Sequence, residues 1–175
     1  MSEARQLTIL LVAIFIIGIA GVWLIQVVPS LLIGGVVVDD YTATFYLNGT
    51  LIEEFLYQVK QPNVFRMLFR SWDAPITTGT KLGQPYITVV KIDVPQGSFG
   101  YTRDYSGTVF VSPNASSYRG TIQNLANLNE VGCFSPSTFN VGTYKVRYVF
   151  QIHPPIEFDG SLAHLNLKLA DVHLP

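Results

Sequence analysis

Cysteine is nearly missing from this chain. Cys133 stands alone among 175 residues, so no intrachain disulfide forms and no cysteine-based metal site is on offer. No basic residue adjoins it in sequence to activate the thiol, and it reads as a small buried hydrophobe. Charge is scarce as well. Only 13% of the residues are charged, about half the share of roughly a quarter usual in soluble domains. Arg5 and Glu3 apart, ten basic and eleven acidic residues are interspersed with no run of either sign. The basic stripe of a nucleic-acid binder is therefore absent, and nucleic acid is excluded as a partner. Phosphate-cradling loops are missing too, because Gly79 to Gly83 is not followed by Lys-Ser/Thr. Gly97-Ser98-Phe99-Gly100 lacks the G-x-S-x-G spacing of a nucleophile elbow. No cofactor is expected.

What is abundant is hydrocarbon. Leu7 to Val28 carries no charge, and about 22 residues rising ~1.5 Å each span roughly the 30 Å of a bilayer's hydrocarbon core. Trp23 and Gln26 suit the membrane–water boundary, and Pro29 ends or kinks the helix. The chain then divides into a cytoplasmic leader (1–6), a transmembrane helix contacting the lipid bilayer (7–28), a connector with the start of the first strand (29–38) and an extracytoplasmic domain (39–175). Gly18 and Ala20 have the small-x-small spacing of a signal-peptide cleavage site. The apolar run exceeds the roughly 7–15 residues of such peptides, which favours a retained anchor. Arg5 sets the orientation. A short polar leader, Gln6 and a long apolar helix before a β-domain also resemble archaeal pilin-like subunits, with Arg5 where those leaders carry a small residue.

Beyond the anchor the residues favour strands. Val36-Val37-Val38 opens the first, and Tyr41, Ala43, Phe45 and Leu47 alternate with Thr42, Thr44 and Tyr46 up to Asn48-Gly49. A two-residue turn would scatter the apolar side chains over both faces. A three-residue loop with Gly49 left-handed pairs odd positions with odd, and places Tyr41, Ala43, Phe45 and Leu47 on a face with Leu51, Phe55, Tyr57 and Val59. Glu53 is the one misfit on that face. Val64–Phe69 is a third strand, with Arg66, Leu68 and Arg70 on one side. As a meander beside the hairpin it brings Arg66 or Arg70 to Glu53 or Glu54 as a structural ion pair. Residues 71–84 read as a loop. Tyr86–Val94 is a strand, and Phe99–Arg103 and Thr108–Ser112 form a hairpin around Asp104–Gly107.

Tyr118–Glu130 shows helical spacing at Ile122, Leu125, Ala126 and Asn129, with Gly132 as its stop. Gly142–Tyr148 alternates cleanly; Pro154-Pro155 marks a loop, and Ala163–Leu169 is the last strand. About eight short strands with one short helix define a mainly β protein, an antiparallel β-sandwich of immunoglobulin-like kind. Asn48-Gly49-Thr50 and Asn114-Ala115-Ser116 match the glycosylation triplet at loop tips.

Three stretches carry a family likeness: Asp40-Tyr-Thr-Ala-Thr-Phe-Tyr-Leu-Asn-Gly-Thr-Leu-Ile-Glu-Glu, Phe65-Arg-Met-Leu-Phe-Arg, and Gly142-Thr-Tyr-Lys-Val-Arg-Tyr running on to Val172-His-Leu-Pro175. Their order and spacing resemble the predicted membrane proteins catalogued as family 2207 of the domains of unknown function. The likeness covers most of residues 39–175. It implies an exported β-domain, with Glu53 or Glu54 at the family's acidic position and Arg66 or Arg70 at its arginine. Members continue into further transmembrane helices and a polar or Gly-rich tail, so the chain is a fragment or a short member. No particular activity follows from the likeness.

Candidate chemistry is confined to the C-terminal part. His153, His164 and His173 lie there with Glu157, Asp159 and Asp171, residue types that hold zinc when three or four converge. No two show the i, i+2 or i, i+4 spacing that fixes a ligand pair, and a regular strand puts His164 and Asp171 on opposite faces. These six read as loop and solvent-face residues. Glu53 and Glu54 are adjacent on a strand, point to opposite faces, and cannot share a substrate. The expectation is a non-catalytic, membrane-anchored interaction domain that assembles with other membrane or envelope proteins. A filament or stator subunit is the structural alternative, and an exported metal-dependent hydrolase the enzymatic one.

Overall fold

The computed structural model describes residues 35–154, 156–160 and 162–165, together with 12 and 15–18. The chain divides into two compact units, residues 1–34 and 35–175. Within the first, residues 12 and 15–18 are helical and the side chains of Val12, Phe15, Ile16 and Ile17 are exposed. The rest of the expected segment 7–28, with the leader, lies outside the described residues. No helix among the described residues is long and apolar enough to cross a membrane.

The second unit is mainly β. Its strands are β1 (Val36–Phe45), β2 (Thr50–Val59), β3 (Met67–Ser71), β4 (Ile76–Thr77), β5 (Tyr86–Asp93), β6 (Phe99–Arg103), β7 (Val109–Ser112), β8 (Glu130–Phe134), β9 (Gly142–His153), β10 (Ile156–Asp159) and β11 (Leu162–Leu165). One helix, α1 (Ser116–Leu125), lies between β7 and β8. A five-stranded sheet runs β1-β2-β9-β5-β4, a four-stranded sheet runs β3-β8-β6-β7, and β10 pairs with β11 alone. All pairings are antiparallel except β4 with β5, which are parallel.

The first hairpin follows from its residues. Tyr46 N–H donates to Thr50 O and Gly49 N–H to Tyr46 O, closing a three-residue loop in which Gly49 takes φ +84°. Only glycine holds that conformation without strain. Tyr41 then pairs with Phe55 and Phe45 with Leu51, odd with odd. A bulge at Asp39 reverses the parity, so Val38 meets Tyr57. Leu51, Glu53, Phe55, Tyr57 and Val59 are all buried, and the facing side of β9 buries Val146, Tyr148, Phe150 and Ile152.

Three expectations are corrected. The third strand does not continue a meander: β3 belongs to the four-stranded sheet and pairs with β8. Its buried side chains, Leu68 and Arg70, cross to meet the five-stranded sheet from the opposite layer. The helix is shorter than its apolar spacing and stops at Leu125, with Ala126 already extended. Asn129 turns left-handed at φ 56° and holds the next segment, accepting Trp72 N–H on its carbonyl and Ile76 N–H on its side chain. Gly132 is no helix stop but the centre of β8, all of whose residues are buried. Leu68, Val131 and Cys133 join the core shared with the five-stranded sheet, while Tyr101 and Phe134 pack with Ile122 and Ala126 of the helical side. A strand covered on both faces has no polar alternation to announce it. Finally, residues 71–84 contain the short β4.

Candidate functional site

A fully buried carboxylate lies between the two sheets. Glu53 belongs to the inward row of β2 and is 0% exposed; Arg70 of β3 is 6% exposed. An ionised carboxylate taken out of water demands partners. Arg70 Nε donates to Glu53 Oε2 at 2.6 Å and Nη2 to Oε1 at 3.2 Å, the two-pronged geometry that a guanidinium offers a carboxylate. Tyr41 of β1 donates its hydroxyl to Oε1 at 2.7 Å. Arg70 also donates to the Ser71 carbonyl at 2.6 Å, and its guanidinium carbon sits 3.4 Å from the centre of the Trp72 ring. The latter is a cation–π contact. One carboxylate thus ties β1, β2 and β3, and so joins both sheets.

Phenols and a thiol surround this pair. Tyr57 donates to the Phe69 carbonyl at 3.1 Å, and the fully buried Tyr148 hydroxyl has no hydrogen-bond partner of normal geometry. Burial pushes the ionisation of Tyr41, Tyr57 and Tyr148 well up, and raises the Cys133 thiol to about 12. Burial also raises the Glu53 carboxyl, with the Arg70 charge and the Tyr41 and Arg70 hydrogen bonds pulling it back down. A second buried carboxylate, Glu130, accepts Tyr101 Oη at 2.5 Å and the Asn127 backbone and side-chain amides at 3.1 and 3.0 Å. The buried phenols and the thiol thus keep their protons at neutral pH. A thiol held at about 12 is no nucleophile at neutral pH.

The other residues singled out by sequence separate from this centre. Glu54 faces the outer side of the sheet, 2.8 Å from Lys145 Nζ and 3.4 Å from Arg147 Nε. Arg147 continues to Asp93 at 3.1 Å, and Lys91 reaches the same Asp93 at 2.7 Å. This surface ribbon carries both signs across β2, β9 and β5. Lys91, and after it Arg147, hold Asp93 below the ordinary carboxylate range. Arg66 donates to the Pro136 carbonyl and lies 5.1 Å from the centre of the Phe134 ring, away from both glutamates. Asn48 is exposed at the first hairpin's tip and Asn114 is exposed between β7 and α1.

Among the metal candidates, His153 stacks on Tyr86 at 4.0 Å and its Nε2 lies 3.5 Å from Thr88 Oγ1. Glu157 and His164 occupy paired positions of the β10–β11 ladder, and Asp159 lies in the same ladder. Asp171 and His173 lie outside the described residues. Among the described residues no three of His, Cys, Asp or Glu gather as a metal site requires. Sequence reasoning missed Tyr41, Trp72, Tyr57, Tyr148 and the Tyr101–Glu130 pair. The signal for the first two was Glu53 itself, since an acid on an apolar face needs donors from whatever packs over it.

Fold and centre together define a class: a mainly β domain of two sheets whose shared core is cross-linked by a buried ion pair. The chain belongs to a family of predicted membrane proteins. The family model described as predicted membrane protein (DUF2207) N-terminal domain matches residues 37–172. No curated protein and no solved structure matches the chain.

Proposed function

We propose that this chain is a non-catalytic interaction and assembly module, held to the membrane by residues 7–28 and presenting residues 39–175 outside the cytoplasm on an immunoglobulin-like sandwich. The observation that carries the reading is the closed condition of its polar centre. Glu53, with Arg70 and Tyr41 on its two oxygens, is sealed from solvent. Catalysis needs a group that substrate can reach; this cluster serves instead as a cross-brace between layers. Contact surface lies elsewhere, at the apolar tip of the first hairpin, where Phe45, Tyr46 and Leu47 are 36%, 48% and 105% exposed. Exposed apolar residues in a contiguous patch favour protein contact. The family's description as a predicted membrane protein supports the setting.

The test is fractionation of cells expressing the tagged full chain, followed by detergent extraction and affinity purification. The expected result is recovery in the membrane fraction and release only by detergent, with stoichiometric protein partners or further copies retained. Recovery as a lone chain in the aqueous fraction overturns the reading. So does stoichiometric zinc in the purified protein together with a zinc-dependent hydrolysis, which would move the chain to the enzymatic class.

A further inference from the structure

β1 is an outer strand. It bonds β2 along one side, and among the described residues no strand pairs with its other side. Tyr46 directs both backbone groups toward the returning strand, donating to Thr50 and accepting from Gly49. Antiparallel geometry alternates, so Thr44 and Thr42 also turn theirs toward β2, and Phe45, Ala43 and Tyr41 turn theirs outward. Exposed edges are templates for pairing, which proteins block with charges, bulges or proline. The first half of β1 has such a block in the Asp39 bulge and the Asp39-Asp40 charges. Residues 41–45 have none.

That open half is Tyr41-Thr42-Ala43-Thr44-Phe45, aromatic-Thr-Ala-Thr-aromatic, and it reads the same in both directions. A two-fold axis through an antiparallel strand pair demands this self-complementarity. We propose that residues 41–45 pair antiparallel with the same residues of a second copy of this chain, about a two-fold axis at Ala43. The proposal rests on the assembly reading above and names its partner.

In this register Tyr41 faces Phe45 of the second copy, Thr42 faces Thr44, and Ala43 faces Ala43. Aromatic and Thr–Thr pairs are among the favourable cross-strand neighbours. The three outward residues of each strand supply about six main-chain hydrogen bonds. The Asp39-Asp40 charges of one copy fall beside the other copy's uncharged hairpin tip, so like charges do not meet. The surface also has something to gain. Tyr41 and Ala43 are half-buried against the inter-sheet core, and Phe45 is partly open beside them. A strand laid along β1 covers this open flank and joins two five-stranded sheets into one.

The experiment uses the full chain in detergent and reads its mass by sedimentation. The variant T42K/T44K changes only exposed positions and sets positive charges opposite one another twice in the proposed pair. A43C places two thiols across the axis, where Cα atoms about 5.5 Å apart permit a disulfide. V90C, on an exposed β5 position, is the control. The expected result is a dimer that A43C cross-links and V90C does not, and that T42K/T44K weakens by roughly tenfold or more without lowering its thermal unfolding. A monomeric wild type overturns the proposal. So does a dimer indifferent to T42K/T44K, or one that A43C fails to cross-link; those results put the contact in residues 7–28 or the edge under the chain's own C-terminal residues. If other membrane proteins co-purify with a monomeric chain, the assembly reading stands and this one falls.

Discussion

Glu53 stands where the alternation of β2 requires an apolar side chain, and that conflict is the most informative residue-scale fact in the chain. Removing one member of a buried pair strands the other. Glu53→Ala leaves the Arg70 guanidinium buried beside Trp72 without its carboxylate, and the expected loss is about 3–5 kcal/mol in urea unfolding of the full chain. Arg70→Met is expected to cost a similar amount. E53M/R70M is expected to recover most of it, because two thioether side chains fill the space without stranding a charge. A double variant as unstable as the sum of the singles would show that the ion pair is not what the site needs. Acidity gives an independent reading. Burial raises Glu53 in the folded state above its ordinary value of 4.5, so as pH rises the unfolded chain releases this proton first. The contribution of Glu53 is therefore complete below the unfolded value and is lost as pH rises through the folded one. Asp93 acts oppositely, held low by Lys91 and Arg147 and losing its contribution as pH falls. Comparison with E53Q isolates the first effect: the stability of wild type relative to E53Q is expected to shrink as pH rises from 4.5 upward. A difference that widens over that range contradicts the raised value.

At the scale of elements, two glycines a dozen residues apart should respond to alanine with opposite signs. Gly120 lies inside α1 with nothing within 4 Å of an added Cβ, so Gly120→Ala replaces a poor helix former with the best one. A gain of about 0.5–1 kcal/mol is expected. At Gly132 an added Cβ would lie 2.5 Å from the Leu68 carbonyl, 2.8 Å from the Tyr101 hydroxyl and 2.9 Å from Phe69 Cβ. Backbone must move there, and Gly132→Ala is expected to cost about 1–3 kcal/mol as an overpacked core does. Thermal unfolding of the two variants decides it, and equal effects would remove the close approach as the reason for glycine in β8. The pair also marks where sequence is legible. The first hairpin, with its loop length, left-handed Gly49 and odd-with-odd register, follows from alternation on a strand with one wet face. The turn at Asp104 is legible too: its carboxylate accepts Ser106 N–H and Thr108 N–H, each at 2.9 Å. β8 was invisible, because a strand covered on both faces does not alternate, and the preceding helical spacing overran it to make Gly132 look like a stop. β4 is two residues long and pairs parallel with β5, below the length at which any pattern shows. The partner of Glu53 was visible in kind but not in place. Residue type offered Arg66 and Arg70, and only the crossing of β3 into the second sheet puts Arg70 over the carboxylate and turns Arg66 toward Phe134 and Pro136.

Over the whole molecule, the lone cysteine reports on cohesion between the layers. Cys133 follows the central Gly132 of β8, 0% exposed, in the core cluster that joins Leu51, Phe55, Tyr57 and Phe150 of one sheet with Leu68 and Val131 of the other. Its neighbours in the ladder are β3 on one side and β6 on the other, so fraying of an outer strand does not bring solvent to the sulfur. Burial holds the thiol at about 12, and alkylation proceeds through the thiolate, so reagent must wait for an opening that both wets and ionises it. Such an opening separates the sheets and breaks the Glu53–Arg70 brace, which makes it close to global unfolding. Iodoacetamide labelling of the native full chain is therefore expected to be slow and to speed up with urea along the slope of equilibrium unfolding. Where reclosing outruns labelling, the rate follows the population of the open form. E53A and G132A should then label faster by about tenfold for each 1.4 kcal/mol they lose in urea. Labelling that is rapid, or flat with urea below the unfolding transition, would mean that β8 opens locally, and that the two sheets are held by something other than the braced core in which the thiol lies.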